Sequence, residues 1–126
     1  MAKSSTATLT IAFNDPQLDQ EEKEEEVQKL LKQMKQLKEV ESVERVLDPN
    51  PPIGNKSFSA FLVGLLTAEV SPANIKKLFQ FLTDRLGNKS IKMKVKASDG
   101  KELEIETSSR EEFEVAMQKA QDFFQI

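Results

Sequence analysis

The strongest constraint on this chain comes from two short alternating segments. Residues 91–97 read IKMKVKA and residues 101–107 read KELEIET, with Ser98-Asp99-Gly100 between them. Successive side chains of a β-strand point to opposite faces, so each segment has one apolar side and one charged side. A two-residue Asp99-Gly100 turn would set Lys96 against Leu103 and mix charge with core. A three-residue loop with Gly100 left-handed instead pairs Lys96 with Glu102, Lys94 with Glu104 and Lys92 with Glu106. It also sets Val95 against Leu103 and Met93 against Ile105, so the three-residue loop is the predicted one. A hairpin with one wholly apolar face is marginal alone. That face needs a covering layer.

The other segments supply that layer and the rest of the sheet. Residues 6–13 (TATLTIAF) place Leu9, Ile11 and Phe13 on one side, predicting a half-buried strand that Asn14-Asp15-Pro16 stops. From Asp19 to about Lys38, the three-four spacing of Val27, Leu30, Leu31, Met34 and Leu37 predicts a long amphipathic helix. Its glutamates come first and its lysines last, which suits the helix dipole and pairs such as Glu25 with Lys29. Residues 40–47 carry Val43, Val46 and Leu47 in an imperfect alternation, predicting a second strand with a bulge or an edge position. The proline-rich residues 48–55 read as a semi-rigid connector. A helix capped by Ser57, from Phe58 to about Ala68, is expected from the stripe of Phe58, Phe61, Leu62, Leu65 and Leu66. Ser71-Pro72 starts another helix through Ile75, Leu78, Phe79, Leu82 and Leu86, which Gly87-Asn88 ends. Ser109 and Glu112 make a capping box for a last helix, residues 109–124, with Phe113, Ala116, Met117, Ala120 and Phe124 on one stripe.

The order strand, helix, strand, helix, helix, strand, strand, helix predicts a two-layer α+β fold. About four strands form the sheet, helices pack on one of its faces, and residues 1–126 make a single domain. Strand order is left open, with a ferredoxin-like arrangement among the options.

Composition removes most side-chain chemistry. The chain of 126 residues contains no histidine, cysteine, tyrosine or tryptophan. Thiolate and imidazole metal sites, Ser-His and Cys-His nucleophiles and histidine bases are therefore absent. Gly54, Gly64, Gly87 and Gly100 are isolated, so there is no phosphate-binding loop, and the acidic residues lack calcium-loop spacing. The glutamate run reads as a solvated helix terminus. Ser108, Ser109 and Arg110 are accounted for by a helix cap. No enzyme activity, cofactor or metal is expected. A net charge of −3 argues against a dedicated nucleic-acid binder, and Glu102, Glu104 and Glu106 would neutralise the Lys92, Lys94 and Lys96 row. No signal peptide or membrane span is seen, and a cytoplasmic location is expected.

Candidate contact residues remain. Ala60, Gly64 and Ala68 stack at intervals of four on the back of the expected helix. Small residues at that spacing admit a second backbone, either from another part of the chain or from a second subunit in a homo-oligomer. Phe81 lies off the apolar stripe of its helix and Phe123 flanks the last one. The proline-rich loop completes the set.

The succession SFSAFLVGLL, NIKKLFQFLTDRLGN, IKMKVKA, DGK, ELEIET and SREEFEVAMQKAQDFF, behind a first strand and acidic helix, is a further clue. Over about residues 9–124 it resembles the effector-associated constant component family of bacterial proteins. The resemblance implies a small adaptor-like part of a bacterial conflict or signalling system, encoded with or fused to effectors such as peptidases and nucleotide-dependent regulators. It therefore implies a protein partner, and it brings no catalytic motif. The acidic first helix and the proline-rich loop set this chain apart from many similar sequences. A small-ligand-binding regulatory domain is the alternative expectation.

Overall fold

The computed structural model describes residues 6–47, 61–86 and 89–124. Strands β1 (Ala7–Phe13), β2 (Val40–Leu47), β3 (Phe61–Val70), β4 (Ile91–Lys96) and β5 (Glu102–Thr107) form one sheet in the order β2-β3-β1-β4-β5. Every neighbouring pair is antiparallel. The helices are α1 (Gln20–Lys35), α2 (Ile75–Leu86, preceded by a 3-10 turn at Pro72–Asn74) and α3 (Arg110–Phe124). β1-α1-β2 and β3-α2-β4 are each a βαβ unit split by a strand of the other, which is the ferredoxin-like arrangement. β5 and α3 extend it. The α+β class and the helix-covered sheet face follow the sequence expectation, with five strands where about four were expected.

Burial alternates with the pleat. Ala7, Leu9, Ile11 and Phe13 of β1, Ile91, Met93 and Val95 of β4, and Ile105 of β5 are buried on the helix side. They join Val27, Leu30 and Met34 of α1, Leu78, Phe79 and Leu82 of α2, and Phe113 and Met117 of α3 in one core. The β4–β5 register is the predicted one, with Lys94 opposite Glu104, Val95 opposite Leu103 and Met93 opposite Ile105. Ala97 N–H donates to the Lys101 carbonyl at 2.8 Å, and Gly100, at φ 95°, donates to the Ala97 carbonyl at 3.0 Å. The Asp99 carboxylate accepts the Lys101 N–H at 3.0 Å and fixes the loop.

Local chemistry sets the helix ends. Asp19 and Glu22 form a reciprocal capping box on α1. Ser109 Oγ accepts the Glu112 N–H at 3.2 Å on α3, while the Glu112 carboxylate reaches one residue further back, to the Ser108 N–H at 2.7 Å. The Ser71 hydroxyl caps no backbone group; it accepts from the Asn74 side chain at 3.2 Å. The acidic half of α1 is not merely solvated. Glu24 grips Arg45 of β2 through two oxygens, with Arg45 Nη2 to Oε1 at 2.8 Å, and Glu26 lies 3.6 Å from Lys89.

One element differs from expectation. Residues expected to close a helix from Phe58 to about Ala68 form β3, a central strand between β1 and β2. Gly64, Leu66, Ala68 and Val70 are buried on its helix side, while Leu65 and Thr67 are half-buried opposite. The open-face positions of β3 include the apolar Leu65 before Thr67 and Glu69, so its first part reads as a continuous apolar run, which satisfies a helical stripe equally well. Pairing with β1 and β2 decided the outcome.

Candidate interaction surfaces

The expected contact residues do not form one surface. Ala60, together with the proline-rich loop and the Ser57 cap, lies outside the described residues. Gly64 and Ala68 share a face, as their spacing suggested, but it is the inner face of a strand rather than the back of a helix. Ala68 is 1 % exposed and sits between Leu9 of β1 and Val43 of β2. Gly64 lies where β2 advances from Arg45 to Leu47 while β3 runs from Leu66 to Phe61. It holds φ 80°, and a Cβ there would stand 3.5 Å from both Lys23 Cβ and the Phe13 carbonyl. The expected helix face for a second backbone does not exist here; at Gly64 the neighbours are Lys23 of α1 and the Phe13 carbonyl of β1, both within the same chain. Phe81 is half-buried against the core, and Phe123 is half-buried on α3.

The helix-free face of the sheet is polar. Register aligns a row Glu44–Thr67–Thr10–Lys94–Glu104 across all strands, and beside it Ser42–Glu69–Thr8–Lys96–Glu102. Lys94 lies 3.7 Å from Glu104 and 4.0 Å from Glu102, and Lys92 lies 4.0 Å from Glu104. These side chains are about half exposed, so each pair contributes only ~0.2–1 kcal/mol and mainly fixes register. The lysine row is largely neutralised by its neighbours.

Charge separates at the two ends of the sheet instead. Beyond β5, a groove of about 520 Å³ runs between that strand and α3. Its apolar wall is Leu103, Ile105, Val115 and Ala116, and Val115 is an exposed large hydrophobic residue at 58 %. Four glutamates line it, Glu104, Glu106, Glu111 and Glu112, against the single lysine Lys119. At the opposite end a groove of about 530 Å³ runs between α1 and β2. Around Leu31 it gathers Lys29, Lys32, Lys35 and Arg45 against Glu25. Neither groove was foreseen. The signal available in sequence was only the charge asymmetry of the first and last helices.

Among the described residues, no group of three or more acidic side chains could hold a metal ion, and no helix is long and apolar enough to cross a membrane. The fold defines a split-βαβ α+β domain whose edge strands each flank a charged groove. No family model, curated protein or solved structure matches the chain.

Proposed function

We propose that this chain is a non-enzymatic protein-interaction module, an adaptor for an effector or signalling protein of a bacterial system. The observation that carries the reading is the pair of sheet ends. Among the described residues, neither β2 nor β5 has a strand beyond it, and each borders a groove of one dominant charge, apolar-walled beside β5. Exposed edges and charged grooves are how small domains recognise segments of other proteins, with main-chain pairing and charge complementarity setting affinity and register. The resemblance to the effector-associated constant component family supports the same reading and supplies the bacterial effector. A composition without histidine or cysteine supports the non-enzymatic part. The alternative of a ligand chamber in the phenylalanine-rich core has less support, since Phe13, Phe79 and Phe113 are packed there at 3 % exposure or less.

Affinity capture from native lysate with the tagged chain, alongside light scattering of the pure protein, tests the proposal. The expected result is a single stoichiometric protein partner. Capture of nothing, by a chain that scatters as a clean monomer, would overturn it.

A further inference from the structure

We infer that the groove between β5 and α3 takes an extended, alternating basic and apolar segment of a partner protein, added as a further strand along the β5 edge. The inference rests on the protein-interaction reading and names the chemistry of the partner.

The backbone provides the first argument. In an antiparallel pair, hydrogen-bonded and non-hydrogen-bonded positions alternate. The closing bond from Ala97 N–H to the Lys101 carbonyl therefore directs the main-chain groups of Leu103, Ile105 and Thr107 toward β4. Those of Glu102, Glu104 and Glu106 face outward, where no strand of the described residues meets them. β5 is a free edge with regular register over its whole length.

Side chains provide the second. On an added strand, residues beside Leu103 and Ile105 would turn toward the helix layer and meet Val115 and Ala116. Residues beside Glu102, Glu104 and Glu106 would lie on the open face among carboxylates. The matching sequence alternates apolar and basic residues. β4, which reads IKMKVK, already meets the same requirement on the inner side of β5. Glu104 is shared with Lys92 and Lys94, and Glu112 is occupied by Ser108. Glu106 accepts a long hydrogen bond from the Asn14 side-chain amide at 3.4 Å through one oxygen. Neither it nor Glu111 has an ion pair among the described residues, so both carry charge for the partner's cations.

The geometry disfavours a second copy in this place. Two β5 edges meeting about a two-fold axis would set glutamates against glutamates, which destabilises a strand pair. The β2 edge shifts register twice and offers no regular strand to β5.

The test uses the full chain and a short synthetic peptide alternating lysine with valine. Controls are a glutamate–valine peptide and a lysine–valine peptide of the same composition arranged in two blocks. The alternating peptide should bind, its affinity falling with salt, and should slow amide exchange at Glu102, Glu104 and Glu106, with Leu103 and Ile105 already protected. The pair Glu106→Lys with Glu111→Lys should weaken binding about tenfold. Val115→Asn, which removes the apolar contact without changing the charge and is 58 % exposed, should weaken binding several-fold. Equal binding by the block peptide, protection elsewhere, or no binding would each overturn the inference. So would self-association of the free chain that Glu111→Lys abolishes, which would assign the groove to a second copy. A natural partner whose capture survives all three substitutions would remove this groove while leaving the adaptor reading intact.

Discussion

Gly64 and Gly100 form a matched pair that isolates how closely α1 lies on the sheet. Both hold positive φ, 80° and 95°, where a Cβ costs about 1–2 kcal/mol. At Gly100 an added Cβ meets nothing within 4 Å, so Gly100→Ala reports the backbone term alone. At Gly64 the nearest atoms to an added Cβ are Lys23 Cβ and the Phe13 carbonyl at 3.5 Å, followed by Lys23 Cδ at 3.6 Å, all ordinary contacts. Gly64→Ala should therefore cost the same about 1–2 kcal/mol. Gly64→Leu must force further atoms between β3 and the Lys23 stem, and overpacking should add about 1–3 kcal/mol. Urea unfolding reads these costs. Circular dichroism is the probe, because the chain has no tryptophan or tyrosine. With a slope of about 2 kcal/mol per molar, the alanine variants should lose about 0.5–1 M in midpoint at unchanged slope. An unchanged midpoint for Gly64→Ala would refute the backbone argument. A leucine variant no worse than the alanine one would refute the close approach of α1.

Other substitutions test the core and its polar contacts. The Thr107 hydroxyl is buried with no hydrogen-bond partner, so Thr107→Val should stabilise by about 1 kcal/mol, raising Tm by about 4 °C in a thermal melt; a lower Tm would contradict the assignment. Glu24→Ala should cost about 1–3 kcal/mol by removing the two-oxygen grip on Arg45, and a double-mutant cycle with Arg45→Met should show strong non-additivity. Phe113→Ala, at 0 % exposure, should cost about 3–5 kcal/mol in urea titration, whereas half-buried Phe81→Ala should cost about 1–2 kcal/mol. No measurable loss at Phe81 would return it to the list of contact residues.

What could be read from sequence followed the strength of local rules. The hairpin was legible to the residue because only one loop length puts Lys94 opposite Glu104 and Val95 opposite Leu103. The first strand and the helices bearing Val27, Leu78 and Phe113 were legible because each has a polar side to contrast with its apolar one. β3 shows that contrast only late, at Thr67 and Glu69. Its FLVGLLTAEV is flanked by strands on both sides, so its identity depends on partners distant in sequence. The same error moved Gly64 and Ala68 from a supposed outer helix face to the interior. The sheet ends were illegible for a related reason: Glu106 and Glu111 share a groove only because α3 returns beside β5.

A net charge of −3 described the whole molecule and concealed this arrangement. On the open face, each inner lysine stands beside a glutamate strand, so that surface is a mosaic with no sign of its own. At the ends the compensation stops, since an edge strand has neighbours on one side only. Lys29, Lys32 and Lys35 of α1 then dominate beside β2, and Glu106 and Glu111 dominate beside β5. The split-βαβ order sets α1, acidic first and lysine-rich last, against β2 and β3, and the β5–α3 extension sets Arg110-Glu111-Glu112 beside the other edge, so the two charge clusters lie at opposite ends of the sheet. A partner that recognised the face would gain little from charge. One that recognised a margin would gain sign, register and direction together, which is why the docking assignment belongs to an edge.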